Sequence, residues 1–459
     1  MRKKENYLYL SINDAISCIN QKVNMVGVVV EYGLPEKSRG TDYFCTLKIM
    51  DESSQSYGLL VNVFTESLDK LPRVKSAGDI IRFSRIVIQS HNGKVNAHFN
   101  KKVSTFALYE GKCSKSFIPY QSSSSYFLKD LDMDFIASLR TWLFNFQLNS
   151  GTSEFYQPLS ALREKKCFDL VCKVLRVCEV SKDAWMLFLW DGTDAPPLSC
   201  RTKLKDELKN PLPLQLEPTP LPRAVLCEFP SVGTILRVIV DKTSEKLALQ
   251  LPCGWVKFLN IECEERSGLW FGVFKPSTKI RILSDEDSIV TCCLRRYEER
   301  LLTKWDRMPS SAFPWPSHIT ETDHEDVPFT TLTDVLTHSK VTSKFKCVVR
   351  VVAMCPWYAD DFLSAKGNPL YRVRLTLEDP TARIHTLIYA EDGEIFFGGY
   401  PSLDVLTGMR NKLLGICAED LDAPRNPPWV QLCLKSYCLD ESDPWSSRKY
   451  RIFDTRLVA

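Results

Sequence analysis

One pattern occurs three times along the chain. An apolar, β-branched run is followed by a second alternating segment that ends in an acidic turn: VNMVGVVVEYG with CTLKIMDES, FDLVCKVLRVCEV with WMLFLWDGT, and FKCVVRVVAMC with YRVRLTLEDPT. Each copy reads as a long strand, a loop and a returning strand, with Asp51, Asp191 or Asp379 at the turn. The first two copies share a further element, Gly78-Asp79-Ile80-Ile81-Arg82-Phe83 against Gly233-Thr234-Ile235-Leu236-Arg237-Val238. The pattern predicts an all-β-dominated chain with a few helices, built as tandem small Greek-key barrels of the OB type, two N-terminal and one C-terminal. That fold opens with such a meander and keeps one strand face for oligonucleotides.

At 459 residues and 44% apolar content the chain has room for about three ordinary cores. No apolar stretch reaches the roughly 18 residues of a membrane span, and the N-terminus MRKKENYLYLSIND has no signal-peptide core, so an intracellular protein is expected. The 17 cysteines are scattered, many within strand patterns (Cys45, Cys172, Cys347, Cys433), and read as reduced core residues. With no C-x-x-C and no HxH or HExxH, neither a structural metal nor metal catalysis is expected. Charge is uneven: residues 1–125 carry 17 basic against 11 acidic side chains, residues 126–304 carry 25 against 24, and residues 305–459 carry 17 against 21. A basic first domain suits a phosphate backbone, and an acidic last one suits a protein partner.

Domains are expected at 1–125, 126–302 and 331–459, with 303–330 as linker, its Pro, Ser and acids showing no periodicity. A Ser-rich connector, residues 113–127, precedes a helical pattern in which Phe135, Leu139, Trp142, Leu143 and Phe146 share a face, predicted to pack between barrels. Residues 209–225 carry prolines too densely for helix or sheet and read as a long surface loop inserted in the second barrel.

Single-strand binding needs aromatic faces for bases and cations for phosphates on one surface; a stacked base is worth about 1–3 kcal/mol. The first repeat offers both. Its first loop, GLPEKSRGTDYF, brings Lys37 and Arg39 for phosphate, Gly40, Thr41 and Asp42 for base edges, and Tyr43 as a platform. Phe64 ends the third strand, and Arg85, Gln89 and His91 alternate along the next, followed by Lys94. Alternatives stand beside these readings: Phe64 as core, Lys37 and Arg39 as solvated charges, and Thr41-Asp42 as a turn.

The segments GVVVEYGLPEKSRGTDYFCTLKIMDES, GDIIRFSRIVIQ, TFALYEG and FDLVCKVLRVCEV with WDGT resemble the protection-of-telomeres proteins, most closely the plant members. The resemblance is dense over residues 7–200, looser to about 300, and weak beyond. It implies that two N-terminal OB folds bind the G-rich single-stranded overhang and that a C-terminal OB fold meets telomerase or telomere-complex proteins. The implied location is the nucleus, at the telomeric region of the chromosome. Carried across, the family's G-T-D loop falls on Gly40, Thr41 and Asp42, with Arg39 as its usual basic neighbour; its stacking phenylalanine falls on Phe64, and its Arg and Gln on Arg85 and Gln89. Departures are Glu31 and Glu36 where vertebrate members have aromatics, Gly33 for a lysine, His91 for a tyrosine, and Cys167 and Ile239 at stacking positions of the second barrel. Trp185 and Trp190 are candidate replacements, although a tryptophan before a turn also suits a core.

The last third is too short for the nuclease-like insertion of vertebrate members and lacks its cysteines. There Ile395, Phe396 and Phe397 form either a partner groove in an acidic surrounding or a buried helix turn. No phosphate loop, nucleophile elbow or kinase signature appears, and an aspartate repeated at equivalent turns is a poor catalytic candidate. The expectation is a binder with no cofactor, membrane or small-molecule substrate: it would protect the 3′ chromosome end and regulate telomerase access. The alternative is a telomerase-associated scaffold of the same fold with weak or no DNA binding.

Overall fold

The computed structural model describes residues 8–38, 40–54, 58–112, 114–123, 130–148, 153–163, 166–181, 184–195, 204–217, 220–230, 233–241, 251, 253–266, 269–275, 277–301, 319–323, 327–364, 369–416, 425 and 427–458. Among them the β-branched runs pair into three closed five-stranded barrels. The first uses Lys22–Gly33, Tyr43–Met50, Leu59–Thr65, Ile80–His91 and Lys94–Phe99. The second uses Cys167–Ser181, Ala184–Trp190, Leu236–Asp241, Trp255–Arg266 and Leu269–Val273, and the third Lys344–Cys355, Arg372–Glu378, Arg383–Tyr389, Trp429–Cys438 and Arg448–Phe453. In each, the third and fifth strands close the barrel in parallel, the Greek-key order of the OB fold.

The repeated aspartates explain the repeat. Asp51, Asp191 and Asp379 are all buried. One carboxylate oxygen of each accepts the backbone N–H that opens a short helix plugging the barrel, from Ile12 at 2.7 Å, Leu159 at 2.9 Å and Leu332 at 2.7 Å. The other accepts the backbone N–H and the hydroxyl two residues on, at Ser53, Thr193 and Thr381. One side chain thus satisfies a helix terminus and a strand turn together. The second shared element does not correspond in space: Gly78 leads into the fourth strand of its barrel, Gly233 into the third strand of the next. Both glycines have positive φ (99° and 141°) and precede an alternating strand, so the local pattern marks a strand entry and not a place in the barrel.

The first two barrels are fused. Strand Lys279–Leu283 pairs with Trp255–Arg266 on one side and with Lys22–Gly33 on the other, making one continuous sheet. Arg281 is buried in this seam opposite Gly33, and a Cβ on Gly33 would collide with its guanidinium. Lys257 lies 3.8 Å from Glu31, both buried.

Three expectations change. Helix Asp130–Asn145 lies on the outside of the first barrel, with Ile136, Leu139 and Leu143 against Val26, Val28, Val30 and Met50; Phe135 is exposed. Asp132, bonded to Tyr9 and 2.9 Å from Arg82, fixes this rotation, which apolar periodicity alone misjudged. The proline-rich insertion does not simply cover the surface: Leu212 and Glu217 are buried, as is Glu207 just ahead of it, and Arg223–Leu226 forms a helical turn after Pro222. Within the expected linker, Thr320–Thr322 pairs with Thr455–Leu457 at the end of the chain.

Candidate nucleic-acid interface

Alternation sorts the first barrel's second strand: Cys45, Leu47 and Ile49 enter the core, which turns Phe44, Thr46 and Lys48 outward. On the third strand Val61 and Val63 enter the core and Leu60, Asn62 and Phe64 face out. Cross-strand register then sets rows on the outer surface. Phe44 lies opposite Phe64, Thr46 opposite Asn62 and Lys48 opposite Leu60. The sheet continues through His98 beside Asn62 and Asn96 beside Leu60, then Val87 and Gln89.

Phe44 and Phe64 stack with centroids 5.6 Å apart and planes at 23°, both half-buried, so a broad aromatic surface stays open to solvent. Sequence reasoning missed Phe44, although the inward Cys45, Leu47 and Ile49 pointed to it. Tyr43, the expected platform, instead packs partly buried against the barrel core. The Thr46 hydroxyl donates to Asn62 Oδ1 at 3.1 Å. Burial pushes the His98 imidazole down, favouring its neutral form on this face.

The loop between the first two strands folds back on itself. Lys37 is exposed opposite Tyr43, and Ser38 N donates to Asp42 O at 2.8 Å. Gly40 N donates to Ser38 Oγ, and the Thr41 hydroxyl sits 3.4 Å from Asp42 Oδ1. The Asp42 carboxylate pairs with Lys101 at 2.8 Å, so a base edge would have to compete with that ammonium. Arg39 lies outside the described residues. Across the face, Arg85 occupies a bulge with φ 58°, its N–H on Asn24 Oδ1 at 2.9 Å and its carbonyl accepting from Ser104 Oγ. Gln89 and His91 are exposed on the same strand, and His91 pairs with exposed Lys94 across an Asn92-Gly93 turn with φ 50° and 75°. A cleft of about 400 Å³ whose lining mixes Lys70 and Lys101 with Glu66 and Asp69 opens at the edge of this surface.

Aromatics, amide edges and cations therefore converge on the second and third strands and the two flanking loops, which are the OB positions for oligonucleotides. The second barrel differs. Trp190 is fully buried, its indole N–H on Thr193 O at 3.0 Å and its ring on Tyr297. Trp185 and Ile239 are half-buried against the same core, and Cys167 Sγ sits 3.7 Å from Glu262. In the third barrel Phe396 and Phe397 are core residues of helix Glu391–Phe397, leaving Ile395 exposed.

Comparison with known proteins gives two family matches: "Telomeric single stranded DNA binding POT1/CDC13" over residues 3–152 and "POT1A-like, OB fold domain" over residues 315–443. Protection of telomeres protein 1b of Arabidopsis thaliana is 39% identical over 462 residues, covering 100% of this chain and 99% of that protein. Its relative 1a is 39% identical over 470 residues, with 100% and 99% covered. Protection of telomeres protein 1 of Homo sapiens is 29% identical over 201 residues, 44% of this chain and 30% of that protein. The solved structure of fission yeast Pot1 with ssDNA aligns at 16% identity and a TM-score of 0.28, over 65% of this chain and 95% of that one.

Proposed function

The chain belongs to the protection-of-telomeres family, and from that premise we propose that it binds single-stranded, G-rich telomeric DNA on the outer face of its first barrel. The observation that carries this reading is the Phe44–Phe64 ring pair, half open on the second and third strands, with Lys37 exposed on the adjoining loop and Lys94 exposed at the far end of the same sheet. Bases stack on the rings, Asn62, Gln89 and Thr41 offer hydrogen bonds to base edges, and the cations take phosphates. Asp42 reads a base by exchanging its Lys101 partner for a donor on that base. His91, exposed at the end of its strand, extends the proposed surface, and Arg39 stays a phosphate contact by its place in the sequence alone. The protein acts by binding rather than catalysis, in the nucleus at the chromosome end, where it shields the 3′ overhang and limits telomerase access. Telomere-complex or telomerase proteins would meet the third domain, residues 331–459, the first two domains being 1–125 and 126–302.

The test is titration of the whole chain with a labelled telomeric G-strand at near-physiological salt, with scrambled DNA and the RNA equivalent as competitors. Binding that scrambled DNA cannot displace is expected. Binding absent, or lost equally to every competitor, would favour the second reading, a telomerase-associated scaffold. That reading is supported by the buried Trp190 and by Cys167 and Ile239, none of which presents an open aromatic face to a base.

A further inference from the structure

The three aspartate pins give a common register for comparing barrels. Counting back from Asp51 and Asp379, Lys48 corresponds to Thr376, Thr46 to Arg374 and Phe44 to Arg372. Cross-strand pairing extends the match: Phe44 faces Phe64 as Arg372 faces Tyr389, and Asn62 lies beside His98 as Leu387 lies beside Arg451. Tyr389 thus occupies in the third barrel the place that Phe64 holds in the first. It is 43% exposed, and Arg372 is exposed opposite it; the Arg451 guanidinium lies 5.5 Å from its ring centroid, donating to the Tyr389 carbonyl at 2.9 Å and paired with Asp392, a carboxylate that a phosphate would replace. The outer face of these two strands carries Arg372, Arg374 and Arg383, the last paired with Glu378 on the same face, together with His385, in a segment whose net charge is negative. Burial and then Arg374, Arg383 and Lys449 hold the His385 imidazole down at about 4, so it stays neutral between those cations.

The far end of this face is covered from within. Glu207, buried, reaches out of the second barrel's insertion, with Arg374 at 3.6 Å and the Thr376 hydroxyl donating to it at 3.3 Å. Arg383 donates to the Pro213 carbonyl at 2.7 Å, and Leu212 is buried against Val352 and Ala353. A carboxylate and a carbonyl oxygen stand where an oligonucleotide would present its own acceptors.

We propose that the outer strand face of the third barrel is a second site for single-stranded nucleic acid, with Tyr389 as base platform and Arg372 and Arg451 as phosphate contacts, and that residues 204–217 of the insertion compete for its Arg374 end. The site is separate from the first-barrel surface and does not depend on it. Its test uses the full chain with an oligonucleotide carrying photoreactive thymines, cross-linked at near-physiological salt and mapped by peptide mass spectrometry. Cross-links in 369–389 are expected in the native chain, lost in Tyr389→Ala and raised several-fold in Glu207→Gln. In a Phe64→Ala background, Tyr389→Ala is expected to lower the remaining affinity about 5-fold or more, the lower range for one stacked base. Cross-links confined to the first barrel in both the native chain and Glu207→Gln would overturn the proposal while leaving the first-barrel reading standing. Cross-links confined to 369–389 would do the reverse. Should Glu207→Gln fail to fold, the native chain against Tyr389→Ala decides alone, since an exposed ring can be removed without opening the core.

Discussion

Replacing Phe64 with alanine separates a binding role from a packing role. The ring is half-buried on the outside of the barrel, and among the described residues its aromatic contact is the stack on Phe44 at 5.6 Å. Its loss therefore leaves the core of Val61, Val63, Leu47 and Ile49 intact. A cross-strand aromatic pair contributes about 0.5–1.5 kcal/mol, so unfolding free energy should fall by about that much and Tm by a few degrees. A stacked base is worth about 1–3 kcal/mol, so affinity for the G-strand should fall by about 5- to 150-fold. The assay is fluorescence anisotropy at fixed salt alongside denaturant unfolding of the same preparation. Phe64→Leu, which keeps the apolar contact but not the π face, should recover most of the stability and little of the affinity. Equal affinity in native and Phe64→Ala chains, with stability lowered, would refute the platform and return Phe64 to a packing role.

Four further outcomes follow from the same geometry. Asp379→Ala strands the N–H groups of Leu332, Thr381 and Ala382 and should cost about 3 kcal/mol or more in unfolding free energy, measured by urea denaturation. Burial pushes the Asp379 carboxyl up to about 6 despite those bonds; because the folded state then keeps the proton to higher pH, its contribution is full below about 4 and is lost as pH rises through 6. Native stability minus that of Asp379→Asn should accordingly fall between pH 4 and 7, and a rise would contradict the assignment. Gly33→Lys should displace buried Arg281 and destabilise the seam by about 1–3 kcal/mol, seen as faster hydrogen exchange at 279–283; unchanged exchange would mean that the seam tolerates the side chain. Lys37→Ala and Lys94→Ala should each lower the slope of log K against log salt by about 0.7, the value per single-strand phosphate, and an unchanged slope would place the phosphates elsewhere.

What was legible in the sequence was local. Asp51, Asp191 and Asp379 announced three barrels because each closes its own turn on the residue two places on, although the helix that each also holds lies far back along the chain. Asn92-Gly93 is a hairpin signal of the same local kind, both residues taking positive φ, and it was read through as continuing strand. Phe44 was readable from Cys45, Leu47 and Ile49 but was passed over for the polar-tipped Tyr43 beside it. Other features depend on partners far along the chain. KIRIL at 279–283 reads as a strand, yet nothing near it names Lys22–Gly33 as its second neighbour. The prolines of the insertion forbid regular structure but do not say that Glu207 reaches Arg374 or that Leu212 finds Val352. Helix Asp130–Asn145 was readable as amphipathic, whereas its rotation was set by Asp132 meeting Tyr9 and Arg82.

The two joints between barrels differ in kind, and the difference bears on how a bound strand could be shared among them. The first and second barrels are joined by a backbone ladder from Glu31 to Gly33 on Arg281 to Leu283, with Arg281 and Lys257 buried within the joint. Parting them would leave ladder groups and two cations without compensation, each a penalty of kcal/mol size. The third barrel meets the second largely through side chains: Trp429 Nε1 on Asp194 at 2.7 Å, Arg350 3.4 Å from Asp194, Arg374 on Glu207 and Arg383 on a carbonyl. Those acceptors are oxygens, and nucleic acid also supplies oxygens. A strand could replace them one at a time on the third barrel, whereas it offers nothing that could replace a strand pairing at the seam. The first two barrels should therefore respond to DNA as a unit, with hydrogen exchange in 279–283 unchanged on saturation with oligonucleotide, while exchange in 204–217 rises if the third barrel is engaged. Faster exchange at the seam with none at the insertion would invert this order and place the movable joint between the first two barrels.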